Sequence, residues 1–224
     1  MKKVITLLAL LSVAVFAQNT FTDPRDGKKY KYVKIGKQTW MAQNLDYRGR
    51  DGYLGLCYGD IPKEKIKRPE NCEKYGRLYD REEADEACPK GWRLPTHDEW
   101  KTLIDFAGGE GTDGTAGKKL RAKSEWKEEK CKWTEEKMDN RGRVTVKEYD
   151  VCATDEYGFS ALPGGYGFVN GYFEIGENGY WWSIRSDDEG YSYYIYFYKT
   201  YYITYSYLRH YAEEQVFSVR CVRN

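Results

Sequence analysis

Apolar side chains between residues 96 and 107 recur at the spacing of one helix face. Thr96 and Glu99 form the capping-box pattern that begins a helix, and Gly108 ends it. The apolar residues at positions i, i+3, i+4 and i+7 are Trp100, Leu103, Ile104 and Ala107. This periodicity predicts an amphipathic helix whose apolar face packs on another element.

A second capping box predicts a shorter helix just upstream. Asp80 is the N-cap, Glu83 stands three residues further on, and Pro89 stops the helix, which we expect over 81–87. A third short helix is expected around 118–123. The first half of the chain is therefore predicted to contribute most of the helical structure.

Strand patterns flank these helices. Segments 30–35 and 38–42 surround Gly36 and predict a hairpin. The strand candidates of the second half, separated by Gly, Asn and Asp turns, are 159–162, 167–169, 180–184, 191–198, 201–208 and 216–222. The stretch 127–150 is dominated by charge, and we interpret it as a surface insertion. Helices first and strands afterwards predict a single α+β domain.

The first 17 residues have the pattern of a secretory signal. Two lysines precede an apolar run over 4–16, and the small residue Ala17 follows it. A membrane anchor is the alternative, but the run is shorter than the ~20 residues that span a bilayer. We therefore expect a signal peptide over 1–17 and a mature domain over 18–224 that is secreted or held at the cell surface, with no membrane span after cleavage.

Export would make the six cysteines a disulfide framework. Six cysteines permit 15 connectivities, and spacing alone does not choose among them. Locality favours two pairs that close their own loops and leaves a third that ties an early helix to the last strand: Cys57–Cys72, Cys131–Cys152 and Cys88–Cys221. A metal site is the competing interpretation, but the chain has no C-x-x-C pair or H-x-x-x-H set.

Charge and composition narrow the classes of function. Lys and Arg number 36 against 35 Asp and Glu, a formal net charge of +1. Nucleic acid is therefore not expected as a partner, because phosphate binding needs a basic excess. The unusual number is 22 Tyr, which with 7 Trp and 8 Phe raises the aromatic fraction to 17%. Such rings suit the pleated, half-buried surface of a sheet.

Aromatic residues are densest over 180–211, where they alternate onto both faces of a predicted strand. Odd-numbered residues from 191 to 197 would lie on one face, and Tyr194, Tyr196 and Tyr198 on the other. Three interpretations stay open: packing in the core and turns, a platform on which sugar rings stack, and an anchor for another protein. The candidate ligand-binding residues are Tyr180, Trp182, Tyr194, Tyr196, Tyr198 and Tyr202.

Other motifs indicate less about function. The G-x-G-x-x-G pattern at 109–114 follows a helix instead of a strand, so we interpret it as a loop and not as a nucleotide site. Asp155 and Glu156 leave open a glycan-active enzyme, which needs two carboxylates across a cleft. The acidic group at 187–189 leaves open a Ca²⁺ site. We expect a non-catalytic ligand-binding protein without an obligatory cofactor, with a polysaccharide or a surface protein as its partner.

Five segments carry a resemblance to a known family. They are QTWMAQNL at 38–45, YGRLY at 75–79, CPKGWRLPT at 88–96, GFSALPGGY at 158–166 and FSVRCV at 217–222. In this order they resemble the Fibrobacter succinogenes major paralogous domain family over nearly all of the mature chain. That family is similar to the C-type-lectin-like and formylglycine-generating-enzyme-like folds and has no established activity.

The resemblance implies an exported bacterial protein in which two main helices pack on a twisted, mostly antiparallel sheet and the terminal strands pair. It also implies the Cys88–Cys221 bridge. Two departures limit it. The Glu-Pro-Asn and Trp-Asn-Asp segments with which C-type lectins bind Ca²⁺ and sugar are missing, and Trp181-Trp182-Ser183 stands where one is expected. Cys221 has no second cysteine close to it near the C-terminus, so the copper chemistry of the formylglycine-generating enzymes is not implied either.

Overall fold

The described residues form two sheets and a separate two-stranded ribbon. A computed structural model describes residues 19–49, 52, 54–110, 115–127, 132–150, 152–168, 171–184, 192–199, 203–208 and 214–223. The predicted signal over 1–17, the candidate ligand residue Tyr202 and the acidic group over 187–189 lie outside these residues. None of the described helices is long and apolar enough to cross a membrane.

The first sheet joins the beginning of the domain to its end. Its five antiparallel strands, in spatial order, are Asn19–Thr22 (β1), Lys29–Ile35 (β2), Gln38–Met41 (β3), Val222–Arg223 (β14) and Trp92–Arg93 (β5). The predicted hairpin is confirmed, with Ile35 paired to Gln38 across Gly36. Because Val222 pairs with Trp40, the last strand lies beside the N-terminal hairpin.

The second sheet carries most of the C-terminal half. Its strands, in spatial order, are Ile203–Leu208 (β12), Ser192–Phe197 (β11), Gly179–Trp182 (β10), Gln215–Ser218 (β13), Tyr166–Phe168 (β8) and Gly171–Phe173 (β9), with Leu78–Tyr79 (β4) also paired to β13. All neighbours are antiparallel except β10 and β13. The prediction of an α+β chain with a mostly antiparallel sheet is confirmed.

Two strand predictions are wrong in their extent. Segment 216–222 is two strands, because the chain leaves the second sheet after Ser218 and joins the first at Val222. Segment 159–162 is not a strand. Ser160 has a left-handed backbone with φ of 53°, and both its N–H and its hydroxyl donate to the Asp155 carboxylate, at 2.8 and 2.6 Å.

The described residues form a 3-10 helix at Pro62–Glu64 and four α-helices: Pro69–Tyr75 (α1), Arg81–Ala87 (α2), His97–Ala107 (α3) and Ala116–Leu120 (α4). Both predicted capping boxes are confirmed, at Asp80 for α2 and at Thr96 for α3. Helix α4 ends earlier than predicted, because Arg121 has an extended backbone and forms a β-bridge with Ala161. Helix α1 was not predicted from the apolar pattern.

The charged stretch after residue 127 forms a ribbon of its own. Lys132–Met138 (β6) pairs antiparallel with Val144–Asp150 (β7). The side chains of Met138, Val144 and Val146 are 72%, 49% and 58% exposed. The tip of the ribbon therefore presents apolar surface to solvent.

Consecutive tryptophans of β10 point into two different cores. Trp181 joins the core under α3, where Trp100 lies 6.2 Å from it and 4.7 Å from Trp40, measured between ring centroids. Trp182 joins a second core that includes Tyr79 of β4. Alternation sends the two side chains to opposite faces, and at Trp181 and Trp182 both faces of the strand are covered.

Two of the predicted disulfides are confirmed. Cys57 is bonded to Cys72, and Cys88 to Cys221 across 133 positions of sequence. Cys152 is also disulfide-bonded. Its predicted partner Cys131 lies outside the described residues, so this third pairing stays a prediction.

A buried amide connects distant parts of the chain. The side-chain oxygen of Asn44 accepts hydrogen bonds from Nε and Nη2 of Arg220 at 3.0 and 2.7 Å, and from the indole N–H of Trp181 at 2.9 Å. The amide nitrogen of Asn44 donates to the carbonyl oxygen of Tyr75 at 2.8 Å and to the hydroxyl of Ser218 at 3.3 Å. We call this group of residues the Asn44 network.

The guanidinium of Arg220 is fully buried in this network without an ion-pair partner among the described carboxylates. It donates to the carbonyl oxygens of Phe159 and Ser160 and lies 4.4 Å from the centroid of the Phe159 ring. Burial lowers the pKa of Arg220 to about 9. Carbonyl and amide oxygens thus take the place of a counterion.

The cap of α3 makes a pH-dependent contribution to stability. Arg93 donates two hydrogen bonds to Glu99, at 2.6 and 2.5 Å. Burial raises the pKa of Glu99, but the hydrogen bonds from Arg93 and Thr96 outweigh it, so the pKa lies below its ordinary value. The stabilisation is therefore present above the unfolded pKa of about 4.3 and is lost as pH falls through the lower folded pKa.

Replacing Glu99 with Gln is expected to flatten this dependence. Between about pH 5 and pH 3, the free energy of unfolding of the wild type should fall more than that of the variant, by about 1 kcal/mol because the pair is partly exposed. Urea titrations at a series of pH values measure the difference. Parallel curves for the two proteins would contradict the assignment.

Candidate functional site

Strand β11 separates a buried side from a half-buried side. Ile195 and Phe197 are fully buried, and the Phe197 ring centroid lies 5.0 Å from that of Trp181. Tyr194 and Tyr196 occupy the opposite face and are half-buried. The predicted alternation therefore holds for these four residues, and among them only Tyr194 and Tyr196 reach solvent.

Half-exposed rings on this outer face form a continuous series that we call the aromatic row. Its members, in spatial order, are Tyr198, Tyr196, Tyr180, Tyr166 and Phe173. Neighbouring ring centroids are 4.6 to 5.6 Å apart. Tyr194 lies beside the row, 5.9 Å from Tyr196. The row therefore runs from β11 across β10 and β8 to β9.

The structure brings together four of the six predicted ligand residues. Tyr180, Tyr196 and Tyr198 belong to the row, and Tyr194 flanks it. Trp182 must be removed from the set, because its ring is fully buried and its indole N–H donates to the carbonyl oxygen of Tyr79 at 2.7 Å. It shares the face of Tyr180, but the second core covers it.

Sequence reasoning missed a buried ring that packs against the row. Phe217 of β13 is buried, and its ring lies 5.5 Å from Tyr180 and 4.9 Å from Tyr194 between centroids. It thus packs against both tyrosines from the neighbouring strand β13. The signal was present, because Phe217 begins the FSVRCV segment, but that segment indicated only a strand and the family resemblance and no ligand-binding role.

A glycine is required where Tyr166 enters the row. Gly165 has φ of 64°, and a Cβ atom added to it would lie 2.2 Å from the carbonyl oxygen of Phe173. This close approach lets Tyr166 pair with Phe173 as β8 and β9 form their hairpin. The last two members of the row are placed by this backbone contact.

The row is corrugated and not flat. Tyr180 and Tyr196 are stacked with 9° between their ring planes, whereas Tyr166 meets Tyr180 at 62° and Tyr198 meets Tyr196 at 65°. The hydroxyls differ as well. Tyr198 donates to the Tyr196 hydroxyl at 2.9 Å, while those of Tyr166 and Tyr194 make no hydrogen bond within the described part of the chain. Ring faces and open hydroxyls are therefore presented side by side.

Glu174 places a carboxylate against the row. One of its oxygens, Oε2, accepts hydrogen bonds from the Tyr180 hydroxyl at 2.5 Å and from the Asn178 side chain at 2.7 Å. Burial, followed by this hydrogen bond and the charge of Glu174, raises the pKa of Tyr180. Burial and the same charge raise the pKa of Tyr166. No sequence motif indicated Glu174, because nothing in the turn between β9 and β10 distinguishes it from Glu177.

Comparison with known proteins decides the family. The family model described as the Fibrobacter succinogenes major domain matches residues 33–223. The chain belongs to this family. No curated protein and no solved structure matches this chain.

Much of the sequence signature of the Fibrobacter domain lies in its interior. Asn44, Phe159 and Arg220 belong to three of the segments that suggested the family, and all three meet in the Asn44 network. Cys88 and Cys221 belong to two of them and are joined by a disulfide. These residues specify the fold, and the side chains of the aromatic row lie mostly outside them.

The carboxylates considered for catalysis are engaged elsewhere. Both oxygens of Asp155 accept hydrogen bonds from Ser160, and Glu156 lies 3.7 Å from the Lys119 ammonium. Among the residues that the structure describes, no group of three His, Cys, Asp or Glu side chains is arranged to hold a metal ion. Their arrangement gives no support to paired acid–base chemistry.

A charged cleft of about 600 Å³ lies away from the row. Its wall includes Asp46, which is ion-paired with Lys28 and lies 3.0 Å from Nε of Arg77. Arg25 is paired with Asp23 at 2.8 Å and covers the Tyr47 ring. Because these charges satisfy one another, the aromatic row is the stronger candidate for a binding site.

Proposed function

We propose that this protein binds a plant-cell-wall or surface polysaccharide through the aromatic row and Tyr194. The observation that carries the proposal is the contiguity of the row: five half-buried or exposed rings from four strands touch one another in an unbroken series. Faces of aromatic rings pack well against the C–H faces of sugars, and tyrosine hydroxyls add hydrogen bonds.

The extended form of the row favours a polymer over a small molecule. Small ligands are usually enclosed in concave pockets, whereas the row is a strip along the outer face of a sheet. Phe173 at one end is 44% exposed, a large fraction for an aromatic side chain. A chain of sugar units can contact several rings at once and accumulate many weak contacts.

Replacing Tyr194, Tyr196 and Tyr198 together with Ala is expected to weaken retention on the insoluble glycan that the wild type binds. Loss of three rings should lower the affinity at least about tenfold, since each aromatic contact contributes of order 1 kcal/mol. Pull-down isotherms on microcrystalline cellulose, xylan and mannan measure this. These side chains are half-buried, so circular dichroism must confirm that the variant is folded.

The matched control is Phe106→Ala. Phe106 is 53% exposed on α3 and contacts Tyr157, so the variant removes an exposed ring that is not in the row. Its binding should equal that of the wild type. Equal retention of the triple variant and the wild type would remove the row from the binding site.

We also propose that the protein works outside the cytoplasm, with a C-type-lectin-like arrangement and a third bridge from Cys131 to Cys152. The two observed disulfides support an oxidising compartment. The pairing of the last strand with the N-terminal hairpin supports the arrangement. Its activity is proposed to be binding without catalysis, because the carboxylates first considered for chemistry are engaged with Ser160 and Lys119.

A second candidate function is adhesion to another surface protein. The observation that favours it is the apolar tip of the ribbon, where Met138 and Val144 face each other across the strands and are both exposed. Apolar side chains at this exposure are typical of interaction surfaces. Two results together would favour this function. A protein on cells would be recovered crosslinked to the ribbon, and the chain itself would not bind any of the glycans.

A further inference from the structure

Glu174 occupies a backbone conformation that glutamate rarely adopts. Its φ is 65°, in the left-handed region. Its carbonyl oxygen accepts the N–H groups of Glu177 and Asn178 at 2.9 and 3.0 Å, so the turn holds it there. Strained positions of this kind concentrate at functional sites. A residue retained at a cost to the backbone therefore calls for a role of its side chain.

Only half of the Glu174 carboxylate is used within the fold. Both hydrogen bonds, from Tyr180 and Asn178, go to Oε2. Oε1 makes no hydrogen bond with any described residue. A half-buried acceptor beside a row of rings is well placed to accept a hydrogen bond from a hydroxyl group of a bound sugar.

Two lysines of the surrounding segments do not pair with the Glu174 carboxylate. Among the described residues, no Lys, Arg or His forms an ion pair with it. The two lysines of the surrounding segments, Lys127 and Lys199, are instead paired with Glu177, at 3.8 and 3.3 Å. The Glu174 carboxylate therefore contacts the row without a direct ion pair, although the two lysines together carry one positive charge more than Glu177.

We infer that Glu174 makes the aromatic row selective for neutral polysaccharides over polysaccharides that carry carboxylates. This inference rests on the proposed function. A hydroxyl of a neutral sugar donates to Oε1, whereas a uronate or carboxymethyl group brings a second negative charge against a carboxylate that has no direct ion-pair partner among the described residues. Repulsion of like charges in a partly desolvated site is a common means of excluding the wrong partner.

The test uses pairs of polymers that share a backbone and differ in charge. Polygalacturonate is compared with its methyl ester, and carboxymethyl cellulose with hydroxyethyl cellulose, by affinity electrophoresis. The wild type should bind the neutral member of a pair at least about tenfold more tightly. Glu174→Gln, whose amide oxygen still accepts from Tyr180, should narrow this ratio to less than about threefold. In about 1 M salt, where screening is strong, the wild-type ratio should narrow as well.

The control is Glu86→Gln, which removes the same charge from an exposed position on α2. Its ratio should stay at the wild-type value. Equal binding of both members of each pair by the wild type, or equal narrowing by the two variants, overturns the inference and leaves the proposed function standing. If the wild type binds neither member of either pair nor any insoluble glycan, the proposed function fails and this inference with it.

Discussion

Replacing Asn44 with Leu is expected to lower the free energy of unfolding by about 3 to 5 kcal/mol, because the buried Arg220 charge and the Trp181 indole N–H would both lose their shared acceptor. The Asn44 oxygen receives three hydrogen bonds from these two residues. The loss is a large part of the 5 to 15 kcal/mol typical of a domain. Urea unfolding followed by tryptophan fluorescence measures it.

The matched variants are Arg220→Met and the double variant. Arg220→Met removes the buried charge itself, so it should cost less than Asn44→Leu. The double variant should then be more stable than the sum of the two single effects predicts, by at least about 1 kcal/mol. Additive effects would show that the two side chains do not depend on each other.

Replacing Cys88 and Cys221 with Ser is the other substitution with a large expected effect. This bridge closes 133 positions of sequence. In the chain-entropy model, removing so long a closure costs about 4 to 5 kcal/mol, against about 3 kcal/mol for a loop of 15 residues. The variant is also expected to loosen the segment that passes from the second sheet to the first, since Cys221 directly precedes β14.

Cys57→Ser/Cys72→Ser is the natural comparison, because this bridge spans only 15 positions. Both double variants and the wild type should be compared by chemical denaturation. The order of stability should be wild type, then the short-loop variant, then the long-loop variant. The reverse order of the two variants would contradict the role given to the long bridge.

The elements that local chemistry determines could be predicted from the sequence. The capping boxes at Asp80 and Thr96 lie within four residues of the groups they satisfy, and both helices begin where they were expected. The hairpin at Gly36 is equally local. The sequence pattern also assigned Tyr194 and Tyr196 to one face of β11 correctly, because alternation follows from strand geometry alone.

Features that depend on distant residues could not be predicted. Alternation places Trp182 on the same face as Tyr180, but only the fold shows that Tyr79, about a hundred positions away, covers it. The parallel pairing of Trp181 with Ser218 likewise joins segments without a local signal. Glu174 was missed for a different reason: no pattern in the sequence shows that the turn between β9 and β10 directs its side chain towards Tyr180.

The central claim is that tyrosine rings from neighbouring strands bind polysaccharide, and a glycan array tests it most directly. The purified protein without residues 1–17 and its variant Tyr180→Ala/Tyr196→Ala should be applied with and without EDTA. We expect the wild type to bind neutral polysaccharides whether or not EDTA is present, and the variant, shown to be folded, to lose that signal. A wild type that binds no glycan, or a variant that binds as well as the wild type, would contradict the account.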